Sequence, residues 1–383
     1  MKLIEKITHR NHGIDVLRGL SILAVILLHL NIRFGYGDSF LRDLFPRQLF
    51  NLIFRSGYYG VIVFFTLSGY LITSSILKKW GTLSKIELGK FYWFRFARIM
   101  PLLCLLLIVL STLHLSGISG FVINSERTSL TRAVFAALTF HVNWLEYKVG
   151  YLPANWDVLW SISIEEVFYL VFPIVCLLVK KRWQLLILLL IFLVLSPWAR
   201  TQLFSGDELG SRNHLAFIDS IALGCTTALI AYNKTLPKLM NRLFLGLGWA
   251  MILLVFVFRS FLYQSGLTSL GMNITILSVG VSLVLFWMHE HQRSGQQKDR
   301  LWFAWIRRMG LYSYEIYLTH MFVVIWGVQV FHYFKLGVNW LVPYSLLLIW
   351  LSYLLGKVVF IYFSEPLNLW LRRRVIVREA EVG

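Results

Sequence analysis

A run of about twenty apolar residues recurs along nearly the whole chain, and this pattern restricts the fold more than any other feature. As an α-helix, about twenty residues cover roughly 30 Å, the thickness of a bilayer's hydrocarbon core. Lipid offers no partner to a backbone N–H or C=O, so such runs cross as helices. The chain is therefore expected to be an all-α polytopic membrane protein. Spans are expected near 15–34, 58–77, 97–116, 160–179, 183–199, 214–232, 243–263, 272–289, 311–333 and 341–363, ten in all. The expected division is a transmembrane domain over 1–370 and a basic cytoplasmic tail over 371–383. No helical repeat, low-complexity linker or cleavable signal is evident.

Charge distribution decides how the spans are threaded. The net charge is +18, which in a soluble protein would suggest nucleic acid. Here the better account is Lys and Arg gathered in cytoplasmic loops. The doubtful segment is 131–148, which is short for a span and carries His141, Asn143 and Glu146. If it does not cross and the N-terminus is cytoplasmic, the inner segments hold 24 Lys plus Arg and the outer segments 10. If it crosses, every later loop inverts and the bias reverses. The first arrangement is expected: ten spans, both termini cytoplasmic, and 117–158 as one long outer loop. Cys104, Cys176 and Cys225 all sit in apolar runs, with neither metal-ligand spacing nor a disulfide framework.

Ionisable residues inside spans are costly and mark candidate sites. The first span, VLRGLSILAVILLHL, carries Arg18 and His29. Eleven residues is close to three helical turns, so both project from nearly one face, roughly 16 Å apart along the axis. Taken singly, Arg18 reads as a snorkelling interfacial arginine and His29 as a satisfied interhelical hydrogen bond. Their shared face favours a functional pair. Before the third span, KFYWFRFARIMPL places Arg95 and Arg98 three apart, on one helix face beside aromatic rings. Two guanidiniums there suit a phosphorylated ligand such as a nucleotide or coenzyme A, against a bland reading as topology or lipid contact. Pro101 is expected at a kink or in a first turn.

The second span contains Ser68 and Gly69, whose small side chains suit close helix approach. The fourth opens WSISIEEVFYLVFP with adjacent Glu165 and Glu166, which point about 100° apart and cannot line one face. An acid there could orient an imidazole or bind an acceptor hydroxyl. Trp156, Trp160, Phe168 and Tyr169 are candidates for stacking on a sugar, or else an interfacial aromatic belt. Asp219, Glu315, His320 and Glu365 are further ionisable groups, with Glu365-Pro366 expected at a helix end. No HExxH, Walker loop or GxSxG is present. Group transfer by a histidine base fits these residues better than metal hydrolysis.

The ordered set of motifs resembles the acyltransferase family 3 membrane proteins, which O-acylate sugars and other acceptors. It comprises GIDVLRGLSILAVILLHL, FFTLSGYLIT, RFARIMPL, WSISIEEVFYLVFP, IDSIALG, YSYEIYLTH and SEPL. The resemblance covers nearly the whole chain and implies a bacterial inner-membrane enzyme with no bound cofactor. Its co-substrate would be acyl-CoA, here acetyl-CoA, and its acceptor a cell-surface glycan or lipid-linked saccharide such as a lipopolysaccharide O-antigen. By the same resemblance His29 is the catalytic base and Arg18 orients the acyl-CoA. Arg95, Arg98 and Ser68 meet the donor, and Glu165 or Glu166 supplies the acid. Trp160, Tyr169 and Asp219 are expected to bind the acceptor. Some relatives carry a C-terminal esterase-like domain. This chain ends about twenty residues past its last span, and is expected to lack a second transfer step. The competing reading is a glycan or solute transporter, since polar residues at several depths also suit a substrate path. A transporter would leave acyl-CoA unconsumed.

Overall fold

The computed structural model describes residues 11–179, 181–203, 209–233, 235–293 and 303–382. The segment 1–10, counted above among the inner basic segments, lies outside the described residues, as do the side chains of 375–383 in the expected basic tail. Every regular element among the described residues is helical. Among the described residues, ten helices are long and apolar enough to cross a membrane: His12–Phe34, Gly57–Trp80, Leu88–Leu115, Ala154–Leu178, Arg182–Thr201, His214–Tyr232, Lys238–Val257, Met272–Arg293, Ser313–Tyr333 and Val338–Arg374. The segment 131–148 divides into two helices, Leu130–Leu138 and Val142–Val149, each too short to span. Between them Phe140 adopts a left-handed φ of 57°.

Three boundaries differ from expectation. The third span begins at Leu88 rather than near 97, so Arg95 and Arg98 lie on the helix itself and Pro101 in its interior. The helix Lys238–Val257 stops at Val257, and Arg259, placed within a span by the sequence, begins a separate short helix, Arg259–Gln264. Its guanidinium donates to the carbonyls of Asn51 and Arg55 at 3.1 and 3.0 Å, and to Ser56 Oγ. These backbone acceptors anchor the break. Glu365 does not end a helix. A π-helical turn, Phe360–Ser364, leads into a helix that continues over Glu365–Val382. Pro366 has no N–H to give the preceding turn, and the wider π turn lets the chain continue past it.

The chain divides into two compact units. The first combines Met1–Lys79, Arg182–Ser205 and Leu215–Ser313. The second combines Trp80–Lys181, Gly206–His214 and Tyr314–Gly383. In the first unit, the His12–Phe34 helix starts at an Asn11 cap whose side chain accepts from the N–H groups of Gly13 and Ile14. Against it lies the Ala304–Leu311 helix. A Cβ on Gly19 would stand 1.9 Å from the Ile306 carbonyl oxygen, and one on Gly310 would stand 1.7 Å from that of Asp15. Only glycine permits this approach, which carries the chain into Ser313 beside Arg18.

Candidate functional site

The first unit holds Arg18, His29, Ser68 and Asp219. Arg18 and His29 share the His12–Phe34 helix, and both are partly buried. The Arg18 Nε and Nη2 donate to Ser313 Oγ at 3.0 and 2.9 Å. Both bonds converge on one hydroxyl, which fixes the plane of the guanidinium. Ser313 is a site residue that sequence reasoning misses. Its only signal is a serine within the YSYEIYLTH motif.

His29 Nδ1 lies 2.9 Å from the carbonyl oxygen of Val25, one turn back on the same helix. A carbonyl only accepts, so Nδ1 carries the proton and Nε2 is the basic nitrogen of the neutral ring. The helix itself thus sets the tautomer and holds the ring. His320, in the second unit, has a similar Nδ1 contact with the Tyr317 carbonyl at 2.8 Å, but its side chain is fully buried. Burial therefore separates two histidines whose Nδ1 each meets a carbonyl of its own helix.

Ser68 lies half-buried on the Gly57–Trp80 helix. The next residue, Gly69, faces the Ile221 carbonyl so closely that an added Cβ would stand 1.9 Å from its oxygen. Close packing is the local purpose of the Ser68-Gly69 pair. Asp219, expected to bind the acceptor, is fully buried, and both its oxygens are engaged. Arg200 Nη1 and Nη2 donate to Oδ1 and Oδ2 at 2.9 Å each, and Thr275 Oγ1 donates to Oδ2 at 2.6 Å. A carboxylate so saturated has no lone pair positioned for a sugar hydroxyl.

The second unit holds Arg95, Arg98, Trp160, Glu165, Glu166 and Tyr169. Arg95 Nη2 lies 3.4 Å from Glu166 Oε1, and its guanidinium sits 3.5 Å from the centre of the Tyr169 ring. Tyr169, expected to stack on a sugar, thus has one face covered by Arg95. Arg98 Nη1 lies 3.4 Å from Glu315 Oε1, with its guanidinium 5.4 Å from the Tyr314 ring centre. The two arginines, three apart on one helix, therefore form parallel layers of aromatic ring, guanidinium and carboxylate. Arg95 Nε is buried and makes no hydrogen bond. Glu165 is half-buried while Glu166 is buried against Arg95, so the adjacent acids have different surroundings. Trp160 is buried with the Arg212 guanidinium 5.0 Å from its ring centre. Among the described residues, no group of three His, Cys, Asp or Glu is placed to hold a metal ion.

Residues 11–361 match the family model described as "Acyltransferase domain". The chain belongs to this acyltransferase family. Among relatives, it is 29% identical over 336 residues to the peptidoglycan O-acetyltransferase OatA of Listeria monocytogenes serovar 1/2a, covering 80% of this chain and 48% of that protein. It is also 29% identical over 178 residues to the O-acetyltransferase OatA of Staphylococcus aureus strain NCTC 8325, covering 45% of this chain and 26% of that protein. Alignment with these curated relatives spans half of their length or less. No solved structure matches the chain. In this membrane acyltransferase, the family match takes in every one of the ordered motifs except SEPL, which lies just past its end.

Proposed function

We propose that this chain is an O-acetyltransferase of the bacterial inner membrane that moves an acetyl group from acetyl-CoA to a hydroxyl of a cell-surface glycan. The observation that carries the reading is the His29 Nδ1–H bond to the Val25 carbonyl, which leaves Nε2 as the base. Nε2 takes the proton from the acceptor hydroxyl as its oxygen attacks the thioester carbonyl carbon. The tetrahedral intermediate collapses, the C–S bond breaks, and the departing thiolate takes the proton from the imidazolium. The products are an O-acetyl ester and coenzyme A, and His29 is neutral again. A covalent acetyl-histidine relay would use the same nitrogen.

The family supplies the acyl-transfer class, and the relatives' names supply acetyl as the group and, in one case, peptidoglycan as acceptor. The Arg95 and Arg98 layers suit the phosphates of coenzyme A. Their ion-pair contacts of 3.4 Å are long, and a phosphate offers shorter bidentate ones. Arg18, held by Ser313, serves as the fixed cation of the His29 helix and orients the acyl-CoA. Glu165 or Glu166 supplies the acid. Cytoplasmic termini follow from the charge bias and place Arg95 and Arg98 on the side where acetyl-CoA is made.

The test is alkali-released acetate from purified peptidoglycan and from lipopolysaccharide of cells lacking the protein. The cells are complemented with wild type, His29→Ala or Arg18→Ala at equal expression. Wild type restores acetate to one polymer, which names the acceptor. His29→Ala lowers it by about 10²–10⁴-fold, the usual contribution of a general base. Wild-type acetylation by His29→Ala sinks the mechanism, and acetate independent of the protein sinks the transferase reading.

A further inference from the structure

A second cluster lies at the Ala154 end of the Ala154–Leu178 span, within the second unit. Its centre is Arg212, whose Nη1 donates to Asp157 Oδ1 at 2.8 Å. The guanidinium lies 5.1 Å from the Tyr151 ring centre and 5.0 Å from that of Trp160. Glu146 is fully buried and turns Oε2 toward Arg212 Nη1 at 3.7 Å. That oxygen makes no hydrogen bond. Asn143 is also buried. Its Nδ2 donates to the Arg212 carbonyl at 3.0 Å, while its Oδ1 makes no hydrogen bond. Leaving the Asn143 oxygen without a partner costs on the order of 1–3 kcal/mol, and the Glu146 oxygen is held only by the loose contact to Arg212.

The rim is open where the floor is buried. Tyr151 is 48% exposed, and the side chains of Asp157 and Arg212 are 20% and 14% exposed. A half-exposed aromatic ring beside a carboxylate and a planar donor is the chemistry that holds a sugar, with C–H faces on the ring and hydroxyls on the polar groups. We infer that Tyr151, Asp157, Trp160 and Arg212 form a saccharide-binding site, with Asn143 and Glu146 positioning Arg212. The Arg212 cation is already paired with Asp157 at 2.8 Å, which leaves no uncompensated positive charge for a uronate or a phosphate, so the cluster selects a neutral sugar. In the acetyltransferase reading, on which this assignment of role rests, that sugar is the acceptor.

The cluster also connects along the span to Glu165. Tyr317 OH bonds Ser161 Oγ at 2.8 Å and donates to the Val158 carbonyl at 2.9 Å. It lies within electrostatic reach of Asp157, Arg212 and Glu165. Asp157 and Glu166 are nine residues apart, about 14 Å along a helix. One span therefore carries the sugar cluster at its end and the Arg95 partner further in, with Glu165 beside it.

The experiment uses the full chain in lipid nanodiscs, with chitopentaose as a neutral probe and trigalacturonate as an anionic one. Binding is read by intrinsic tryptophan fluorescence and calorimetry, and transfer by labelled acetyl-CoA. Wild type and His29→Ala are expected to bind chitopentaose saturably and alike. Tyr151→Ala and Arg212→Ala are expected to weaken binding at least 10-fold. Tyr151→Ala removes a half-exposed ring and guards against misfolding, which size-exclusion elution checks. The inference falls if wild type does not bind chitopentaose saturably, if both variants bind as wild type, or if trigalacturonate binds more tightly. Saturable, variant-sensitive binding without acetyl transfer keeps the saccharide site and removes the acetyltransferase reading. Transfer that neither variant alters removes the site and keeps the reading.

Discussion

The two units each bury arginine–carboxylate pairs, but they build them differently. In the first, Arg200 and Asp219 meet through two bonds of 2.9 Å, with side chains 4% and 0% exposed. Arg200 Nη2 also donates to the Gly271 carbonyl and to Thr275 Oγ1, each at 2.8 Å. In the second, Arg95 and Arg98 each reach one carboxylate oxygen at 3.4 Å, with arginine side chains 28% and 23% exposed. Removing two ions from water is offset only when geometry is good and the remaining donors are satisfied. The first pair meets the geometric condition and reads as a lock between helices: both Nη groups of Arg200 are engaged, and its Nε alone has no acceptor. The second pairs do not: each arginine makes one contact of 3.4 Å to its carboxylate and stays partly exposed. Donors left over in a half-open layer are what an incoming phosphate requires. Contact geometry and exposure of the guanidinium, rather than the presence of an ion pair, separate the structural arginine from the ligand-binding one.

Breaking the saturated pair gives the largest effect. Asp219→Ala leaves the Arg200 charge buried without its counter-ion, at a cost of about 3–5 kcal/mol. The variant is expected to lose its monodisperse elution and melting transition in detergent, whatever the substrate. Arg200→Ala is expected to fail in the same way. If either variant folds as wild type and loses only acetyl transfer, Asp219 belongs to the acceptor site and the contrast collapses.

The next effect is smaller and of another kind. Arg95→Ala and Arg98→Ala each remove one cation from a half-open layer, so melting should stay close to wild type. The KM for acetyl-CoA is expected to rise roughly 10–100-fold, about 1.4 kcal/mol for each tenfold, with the KM for acceptor unchanged. Arg→Lys substitutions retain charge but lose the planar fork and are expected to recover only part of the loss. A shift in the acceptor KM instead would move the arginine pair out of the donor site.

What can be read from the sequence follows the range of the forces involved. Ten spans are legible because bilayer thickness and helix rise set a run length that the chain displays directly. The shared face of Arg18 and His29 is legible from helical periodicity. The partners are not. Arg98 meets Glu315, 217 residues away, and Arg212 meets Glu146 across 66. No local pattern encodes contacts of that length. A count of loop charges therefore puts Arg200 and Arg212 outside, although Arg200 is buried and Arg212 nearly so. Asp219 in IDSIALG resembles a ligand-binding acid because its saturating partner ends a different apolar run. Ser313 escapes notice because a serine in a motif becomes informative only once Arg18 is beside it.

Glu146 offers the smallest and most selective effect, because it lies between the two kinds of pair: buried as deeply as Asp219, yet joined loosely to its arginine. Burial holds its carboxyl well above the usual range, and the Asp157 charge raises it further. The Leu152 N–H, at 3.2 Å from Oε1, and Arg212 oppose that rise without cancelling it. The folded state therefore binds a proton at pH values where the unfolded chain has released it. Stability then falls as pH climbs from the ordinary glutamate range toward the raised value, by about 1.4 kcal/mol per pH unit across that window. Glu146→Gln removes the ionisation and keeps the shape. The variant should match wild type in melting temperature near pH 4.5 and exceed it at pH 8 by on the order of 1–3 °C. Thermal melts of both proteins across that range decide the matter. A difference that grows toward acid would mean that Glu146 is held ionised by Arg212. The cluster around Tyr151 would then be a closed lock rather than an open rim.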